Sequence, residues 1–363
     1  MDVAALRSEL PALERVVYLN AGSVGPAPRG AIAAAEAELH DQLEAARGGG
    51  DHFRRATTLA GRLRARVAAL LGCDPWEVAL TGATTDGVNA VVGGLELGPG
   101  EEILTSDAEH PGLLAPLALA RERRGVELRI APFAEIAGAV GARTRLIACS
   151  HVSWISGRIV DAAALASTGV PVLLDGAQGL GAIDVDVRAL GCDYYAASGQ
   201  KWLCGPIGSG YLYVRERALE SLAPIAPGYS SLSDPGRPLD LPLADGAARL
   251  DRGVPPTHQA AWSLAAIDVL AGSGLTALQE RAARLAHGLA EQLAATGLTV
   301  VGRDASTLVS WEARDPELEA ARLHAAGFLV RQLPGTPHVR AAVGAWNTTD
   351  ELERLAETAT STS

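Results

Sequence analysis

Between Glu77 and Val214 the chain alternates short apolar runs with stretches of helical periodicity. The runs "EVALTG", "EILTS", "ELRIAP", "RLIACSHV", "PVLLDGAQ", "DYYAAS" and "GYLYV" predict strands, and segments 84–95, 111–124 and 161–168 predict helices between several of them. Strands that are apolar on both faces and separated by helices predict a mainly parallel, seven-stranded sheet covered on both sides. Ligands of such sheets collect at the carboxyl ends of the strands, and the polar residues of interest fall there. The pattern changes near Pro255. "QAAWSLAAIDVLAG" and "ALQERAARLAHGLAEQLAAT" predict long amphipathic helices. They are followed by the strand-like "TLVSWEA", the helical "PELEAARLHAAG", the strand-like "FLVRQL" and "HVRAAVGAW", and a last helix from Thr349. The expected organisation is an α/β protein with a large domain over 16–250 and a smaller α+β domain formed by 1–15 and 251–363. The Pro- and Gly-rich stretch 224–256 is expected to be a long loop region near their interface.

Composition narrows the function classes. A chain of 363 residues suits two packed domains, and 48% apolar with 20% charged residues suits a soluble globular protein. The net charge of -11 argues against non-specific nucleic-acid binding, which needs clustered Lys and Arg. No run reaches the roughly 18 apolar residues of a membrane span, and the first 20 residues, which include acids and a proline, do not read as a signal peptide. Cys73, Cys149, Cys192 and Cys204 lie far apart, with no CxxC and no His at ligand spacing. Neither a metal site nor a disulfide framework is expected; reduced thiols in a cytoplasmic protein are.

Four short stretches carry the candidate chemistry. "TGATTDG" (81–87) follows a strand and opens a helix, so it can either receive a phosphate on free backbone N–H groups or simply be N-capped by Thr84 or Thr85. "DGAQG" (175–179) puts Asp175 at the end of an apolar strand, where a carboxylate is costly unless paired; a turn carboxylate is the plainer alternative. "DAEHPG" places His110 just after another strand, as a ring that could stack or as a turn residue. "SGQKWLCGP" holds Lys201 among small residues, where desolvation would suit an amine for Schiff-base chemistry. Together these are the parts of a pyridoxal phosphate site: a phosphate cradle, a ring to stack, a carboxylate for the pyridine nitrogen and an amine for the aldehyde.

The order "TGATTDG … EHPG … DGAQ … SGQKWLCGP" resembles the class V aminotransferase family of fold-type I pyridoxal phosphate enzymes, which groups cysteine desulfurases, cystine lyases and isopenicillin N epimerase-like proteins. The resemblance runs from "YLNAGSVGP" (18–26) to "VRAAVGAWNT" (339–348). It implies that Ala83, Thr84 and Thr85, with Ser198 and Gln200, bind the phosphate. It implies that His110 stacks on the pyridine ring and shuttles a proton, that Asp175 pairs with the ring nitrogen, and that Gln178 bonds the phenolic oxygen. Lys201 is then the Schiff-base amine and general acid–base, Arg340 the clamp on the substrate α-carboxylate, and the segment Asn20–Gly22 the cover over the substrate. A homodimer is implied as well.

The chain departs from the family pattern at several points. Gln200 stands where many relatives have His, Trp154 where desulfurases have Asn, and Val254 in "GVPPT" where a threonine binds the neighbouring subunit's phosphate. No cysteine follows Cys204, so the mobile sulfur-accepting thiol of a desulfurase has no counterpart. The expected reaction is β-elimination by a C–S lyase on cysteine- or cystine-type substrates. Epimerisation and transamination are the alternatives, and a non-catalytic binding protein is the reading from a different class.

Overall fold

The computed structural model describes residues 2–45 and 47–360. Strand β1 (Val17–Tyr18) precedes a seven-stranded sheet made of β2 (Val78–Thr81), β3 (Glu102–Ser106), β4 (Glu127–Ala131), β5 (Thr144–Ser150), β6 (Val172–Asp175), β7 (Tyr194–Ser198) and β8 (Gly210–Val214). Their spatial order is β2-β8-β7-β6-β5-β3-β4. Only β8 runs antiparallel to its neighbours; the other contacts are parallel. An antiparallel pair can be joined by a short turn, whereas parallel neighbours need a crossover. The connection 199–209 between β7 and β8 is therefore short, and it carries Lys201 at the carboxyl end of β7.

Alternation along each strand sends side chains into two separate cores. Leu173, Tyr194 and Leu212 face the helices Thr84–Gly94 and Pro111–Arg124. Leu174, Tyr195, Tyr211 and Tyr213 face the side covered by the helices Gly50–Leu71 and Thr257–Gly272. All of these are essentially inaccessible to solvent, and each is worth roughly 1.5–3 kcal/mol in apolar burial. The helices Arg29–Glu44 and Gly50–Leu71 had no expected counterpart. The second has its buried positions at Ala56, Leu59, Ala60, Leu63, Val67, Ala68 and Leu71, a helical stripe the pattern does contain.

Beyond Pro256 come the two long helices Thr257–Gly272 and Leu275–Ala295, then β9 (Leu308–Glu312), the helix Pro316–Ala325, β10 (Phe328–Leu329), β11 (Arg331–Gln332), β12 (His338–Ala342) and the helix Thr349–Thr360. The run "FLVRQL" is split at Val330: β10 pairs in parallel with β1, and β11 joins the antiparallel sheet β11-β12-β9. Val309, Trp311, Val339 and Ala341 pack under this sheet against Leu289, Leu293, Leu323 and Leu355. The chain after β1 stays tied to it, since the Ala342 amide donates to the Leu19 carbonyl at 2.7 Å. Segment 20–24 thereby leaves the small sheet directly over the ends of the large one. Stretch 224–256 holds the short 3-10 turns Tyr229–Ser231, Pro238–Asp240 and Gly246–Leu250. Among the described residues no single helix is long and apolar enough to cross a membrane.

Candidate active site

A cavity of about 310 Å³ opens at the carboxyl ends of the large sheet, within the range of small-molecule sites. Ala83, Thr84, Thr85, His110, Asp175, Gln178, Ser198, Gln200, Lys201, Arg340 and Gly22 all line it. Asn20 does not; its side-chain oxygen accepts from the Ser23 hydroxyl at 2.7 Å, which stiffens the turn that carries Gly22. Ser23, Trp154, Ala177 and Arg331 complete the lining.

One wall is a helix N-terminus. The helix Thr84–Gly94 has Ala83 at its N-cap position and no side-chain cap bond, so the capping role considered for Thr84 or Thr85 is not what the structure shows. The Thr84 amide reaches only the Ser198 hydroxyl, at 3.4 Å, and the two hydroxyls lie 2.5 Å apart. First-turn N–H groups without a side-chain acceptor form a site that favours an anion. Strand β8, the neighbour of β2, passes unusually close: a Cβ on Gly210 would lie 2.5 Å from the Ala83 nitrogen.

His110 opens the helix Pro111–Arg124, and its Nδ1 accepts from the Gly112 amide at 2.9 Å. The ring is thus both a cap and a cavity wall. Burial, then the charges of Lys201, Arg331 and Arg340, push its pKa down to about 4, so near neutrality it is an uncharged ring with its proton on Nε2. Trp154 meets it edge-on at 4.9 Å and 85°. The preceding Glu109 is buried and bolts this turn to two strand ends: it accepts from the Ser106 hydroxyl, and from the Ser150 amide and hydroxyl at 2.9 and 2.5 Å. Desolvation raises its pKa to about 7 against the lowering effect of those bonds.

Asp175 ends β6, and its carboxylate accepts from the Ala177 amide at 2.9 Å. Burial raises its pKa, while the Lys201 charge and that amide lower it. The turn after it lies on Tyr195. A Cβ on Gly176 or Gly179 would fall 2.0 or 2.2 Å from the phenol, whose hydroxyl meets His151 Nδ1 at 3.0 Å. Gln178 donates to the Gly22 carbonyl at 2.8 Å and accepts from the Trp202 indole at 3.0 Å, which leaves one amide N–H free. Lys201 is half-buried, with its amine desolvated; burial pulls its pKa down to about 8, Asp175 opposes this, and Arg340 and Arg331 add to it.

Arg340 is 1% exposed. Its Nη1 donates to the Trp154 carbonyl at 2.8 Å, while Nε and Nη2 have no partner among the described residues. Burial, then Arg331, lowers its pKa. Arg331 sits directly across from it on β11 and donates to the Ser23 hydroxyl at 2.9 Å. Sequence reading missed Arg331. The available signal was the "LPGTP" turn between two strand-like runs, which reads as a hairpin that folds 331 back toward 340.

Pyridoxal phosphate fits this set of groups: an uncapped helix end for a dianion, a flat neutral ring, a buried carboxylate, and a desolvated amine. The free nitrogens of Arg340 are buried donors that an anionic ligand would satisfy.

A family model described as aminotransferase class-V matches residues 17–355. A cysteine desulfurase of Enterobacter sp. (strain 638) is 31% identical over 328 residues, covering 84% of this chain and 80% of the relative. An isopenicillin N epimerase of Streptomyces clavuligerus is 36% identical over 231 residues, 58% of this chain and 56% of that protein. Two solved structures of C-DES are 26% identical. One, with glycine covalently linked to the PLP cofactor, superposes with a TM-score of 0.92 over 97% of this chain and 98% of that one. The other, a complex of the cystine C–S lyase C-DES with its product cysteine persulfide, gives 0.91 over 96% and 99%. This chain belongs to the aminotransferase class-V family and is a pyridoxal phosphate-dependent enzyme of cysteine desulfurase and C–S lyase type.

Proposed function

We propose that the protein is a C–S lyase that cleaves the β-carbon–sulfur bond of cysteine- or cystine-type amino acids by β-elimination. The observation that carries this reading is the pair Arg331 and Arg340, two guanidiniums on one cavity wall with no carboxylate partner among the described residues. A substrate with two carboxylates, such as cystine, offers each of them an acceptor. The cysteines support the same reading. Cys204 is 1% exposed, packed against Gly25, with its thiol pushed up to about 12 by burial. Burial likewise raises the other three thiols, and none of the four lines the cavity. A protonated, enclosed thiol is a poor sulfur acceptor, so the reaction ends with the sulfur product leaving rather than resting on the protein.

Bound pyridoxal phosphate supplies an electron sink joined to the substrate's α-carbon, which acidifies the α-proton and lets a β-substituent depart. The amides after Ala83, with Thr84, Thr85, Ser198 and Gln200, would hold the phosphate. His110 would lie against the ring and Asp175 at its nitrogen, and the free N–H of Gln178 would serve the ring oxygen. Lys201 would hold the aldehyde carbon and move the proton at the α-carbon; a pKa near about 8 keeps a usable fraction of free amine in mildly alkaline water. Arg340 would clamp the α-carboxylate and Arg331 the distal one. Cystine then gives pyruvate, ammonia and cysteine persulfide, with one water consumed. A homodimer belongs to the same proposal, supported by the open apolar side chains of Ile207, Tyr229 and Leu239.

The test is an assay of the cofactor-loaded protein with L-cystine and L-cysteine for pyruvate and released sulfur. Pyruvate formation supports the lyase. Solvent deuterium entering the α-carbon without pyruvate would favour epimerisation, for which the similarity to the Streptomyces clavuligerus epimerase speaks.

A further inference from the structure

We infer that Trp202 is a positioning residue for the cofactor: its indole fixes the sense of the Gln178 amide, so that the remaining N–H of that amide, and not its oxygen, is offered to the cavity. Two hydrogen bonds carry the inference. Trp202 Nε1 donates to Gln178 Oε1 at 3.0 Å, and Gln178 Nε2 donates to the Gly22 carbonyl at 2.8 Å. Each partner has one sense only: an indole N–H cannot accept, and a backbone carbonyl cannot donate. A flipped amide would set N–H against N–H and oxygen against oxygen. Water could not repair that loss, since Gln178 and Trp202 are each 4% exposed. Both neighbours are held in turn. Gly181 packs on the Trp202 main chain so closely that a Cβ there would lie 3.0 Å from the Trp202 carbonyl carbon, and the indole also lines a separate crevice with Leu270, Leu278 and Trp346. The Gly22 turn is fastened by the Gly25 amide on the Gln200 carbonyl at 2.7 Å and by Arg331 on the Ser23 hydroxyl at 2.9 Å. Gln178 lines the cavity and Trp202 does not, so the indole acts through the amide. A hydrogen-bond donor favours the unprotonated, anionic form of the oxygen it meets, which for pyridoxal phosphate is the ring oxygen. The inference rests on the placement of that oxygen at Gln178 proposed above and adds the residue that sets the amide.

The experiment follows the visible absorbance of the cofactor-loaded protein against pH, because the spectrum of bound pyridoxal phosphate reports the protonation of its conjugated ring. Trp202→Phe keeps an apolar ring and removes the N–H. The titratable and charged groups that line the cavity, His110, Asp175, Lys201, Arg331 and Arg340, are the same in both proteins, so a shift reports the amide. The pH midpoint of the spectral change should rise by about half a unit to one unit, the worth of one hydrogen bond. In a Gln178→Leu background the same Trp202→Phe substitution should add no shift, because the group through which it acts is gone. Should Trp202→Phe fail to fold, 3-benzothienylalanine at this position keeps the shape of the indole and lacks the N–H. Parent and variant spectra that coincide at every pH, or a shift that persists in full without Gln178, overturn the inference and leave the lyase reading intact. A parent protein that takes up no pyridoxal phosphate overturns both.

Discussion

Arg331 and Arg340 are cross-strand partners on β11 and β12, and both reach the cavity that Lys201 faces. Two like charges placed opposite each other are destabilising in a sheet, so the pair is explained by a ligand with anionic groups. Arg340→Ala should raise KM for every amino-acid substrate by about 10- to 100-fold, as expected for a lost charge-assisted bond. Arg331→Ala should do so for cystine and leave a monocarboxylate such as S-methylcysteine nearly untouched. Kinetics of both variants on both substrates decide this; equal losses for Arg331→Ala on the two would remove its assignment to the distal carboxylate.

Lys201→Ala should abolish pyruvate release while the far-ultraviolet circular dichroism and cooperative melting of the parent persist. Lys201 sits in a turn rather than in the apolar core, so the fold does not depend on it. Undiminished turnover would sink the mechanism.

The same lysine predicts a pH effect on the apoprotein. Its folded-state pKa of about 8 lies below the ordinary 10.5, so between these values the unfolded chain binds a proton that the folded chain does not. Stability from this group therefore rises with pH across that window, and below it the folded protein carries a buried-charge penalty. Lys201→Met should melt above the wild type at pH 7, and the gap should close toward pH 10.5. A gap that is constant over this range would show that the amine is not desolvated.

Replacing all four cysteines by serine or alanine tests where sulfur goes. Pyruvate release per folded protein should stay close to that of the parent, because none of the four thiols lines the cavity; the buried positions Cys149, Cys192 and Cys204 are expected to cost stability instead. Cys204→Ser is the informative single change, since Cys204 holds a φ of 54° that serine can keep. Loss of sulfur release in that variant with folding preserved would mean that a protein thiol takes part.

Gly210→Ala should weaken pyridoxal phosphate binding without changing any polar side chain. The new Cβ would press on the Ala83 backbone at 2.5–2.6 Å, and backbone at a helix start cannot yield cheaply. Overpacking of this kind costs about 1–3 kcal/mol. Titration of the apoprotein with the cofactor should show an affinity at least about tenfold lower; an unchanged affinity would argue that the Thr84 helix end does not hold the phosphate.

Much of this was legible along the chain. The seven strand runs became β2–β8 because each is short and bounded by turn residues; all but the partly exposed edge strand β4 are apolar and buried. The cavity end was readable because Asp175 ends a strand and His110 and Lys201 follow one within a few residues. Arg331 was only partly readable: the "LPGTP" turn folds 331 back toward 340, but "FLVRQL" looks like one strand, and its division between two sheets is what the chain alone does not reveal. The helices Arg29–Glu44 and Gly50–Leu71 also went unassigned, the first because its alanine-rich run has a weak apolar stripe with few large side chains.

The sequence by itself determined the alternation of elements, the lysine's place at a strand end and the lack of a cysteine beyond Cys204, because periodicity and turn chemistry act between residues close along the chain. The tertiary structure alone decided that Ala83 leaves the helix end uncapped, that Glu109 bolts the His110 turn to Ser106 and Ser150, and that Trp154 holds Arg340 while its own indole N–H stays free. These depend on which distant segments share a volume, and on burial, which sets whether a donor without a partner or a charge without an ion is tolerated. Neither quantity is written in the local pattern of residues.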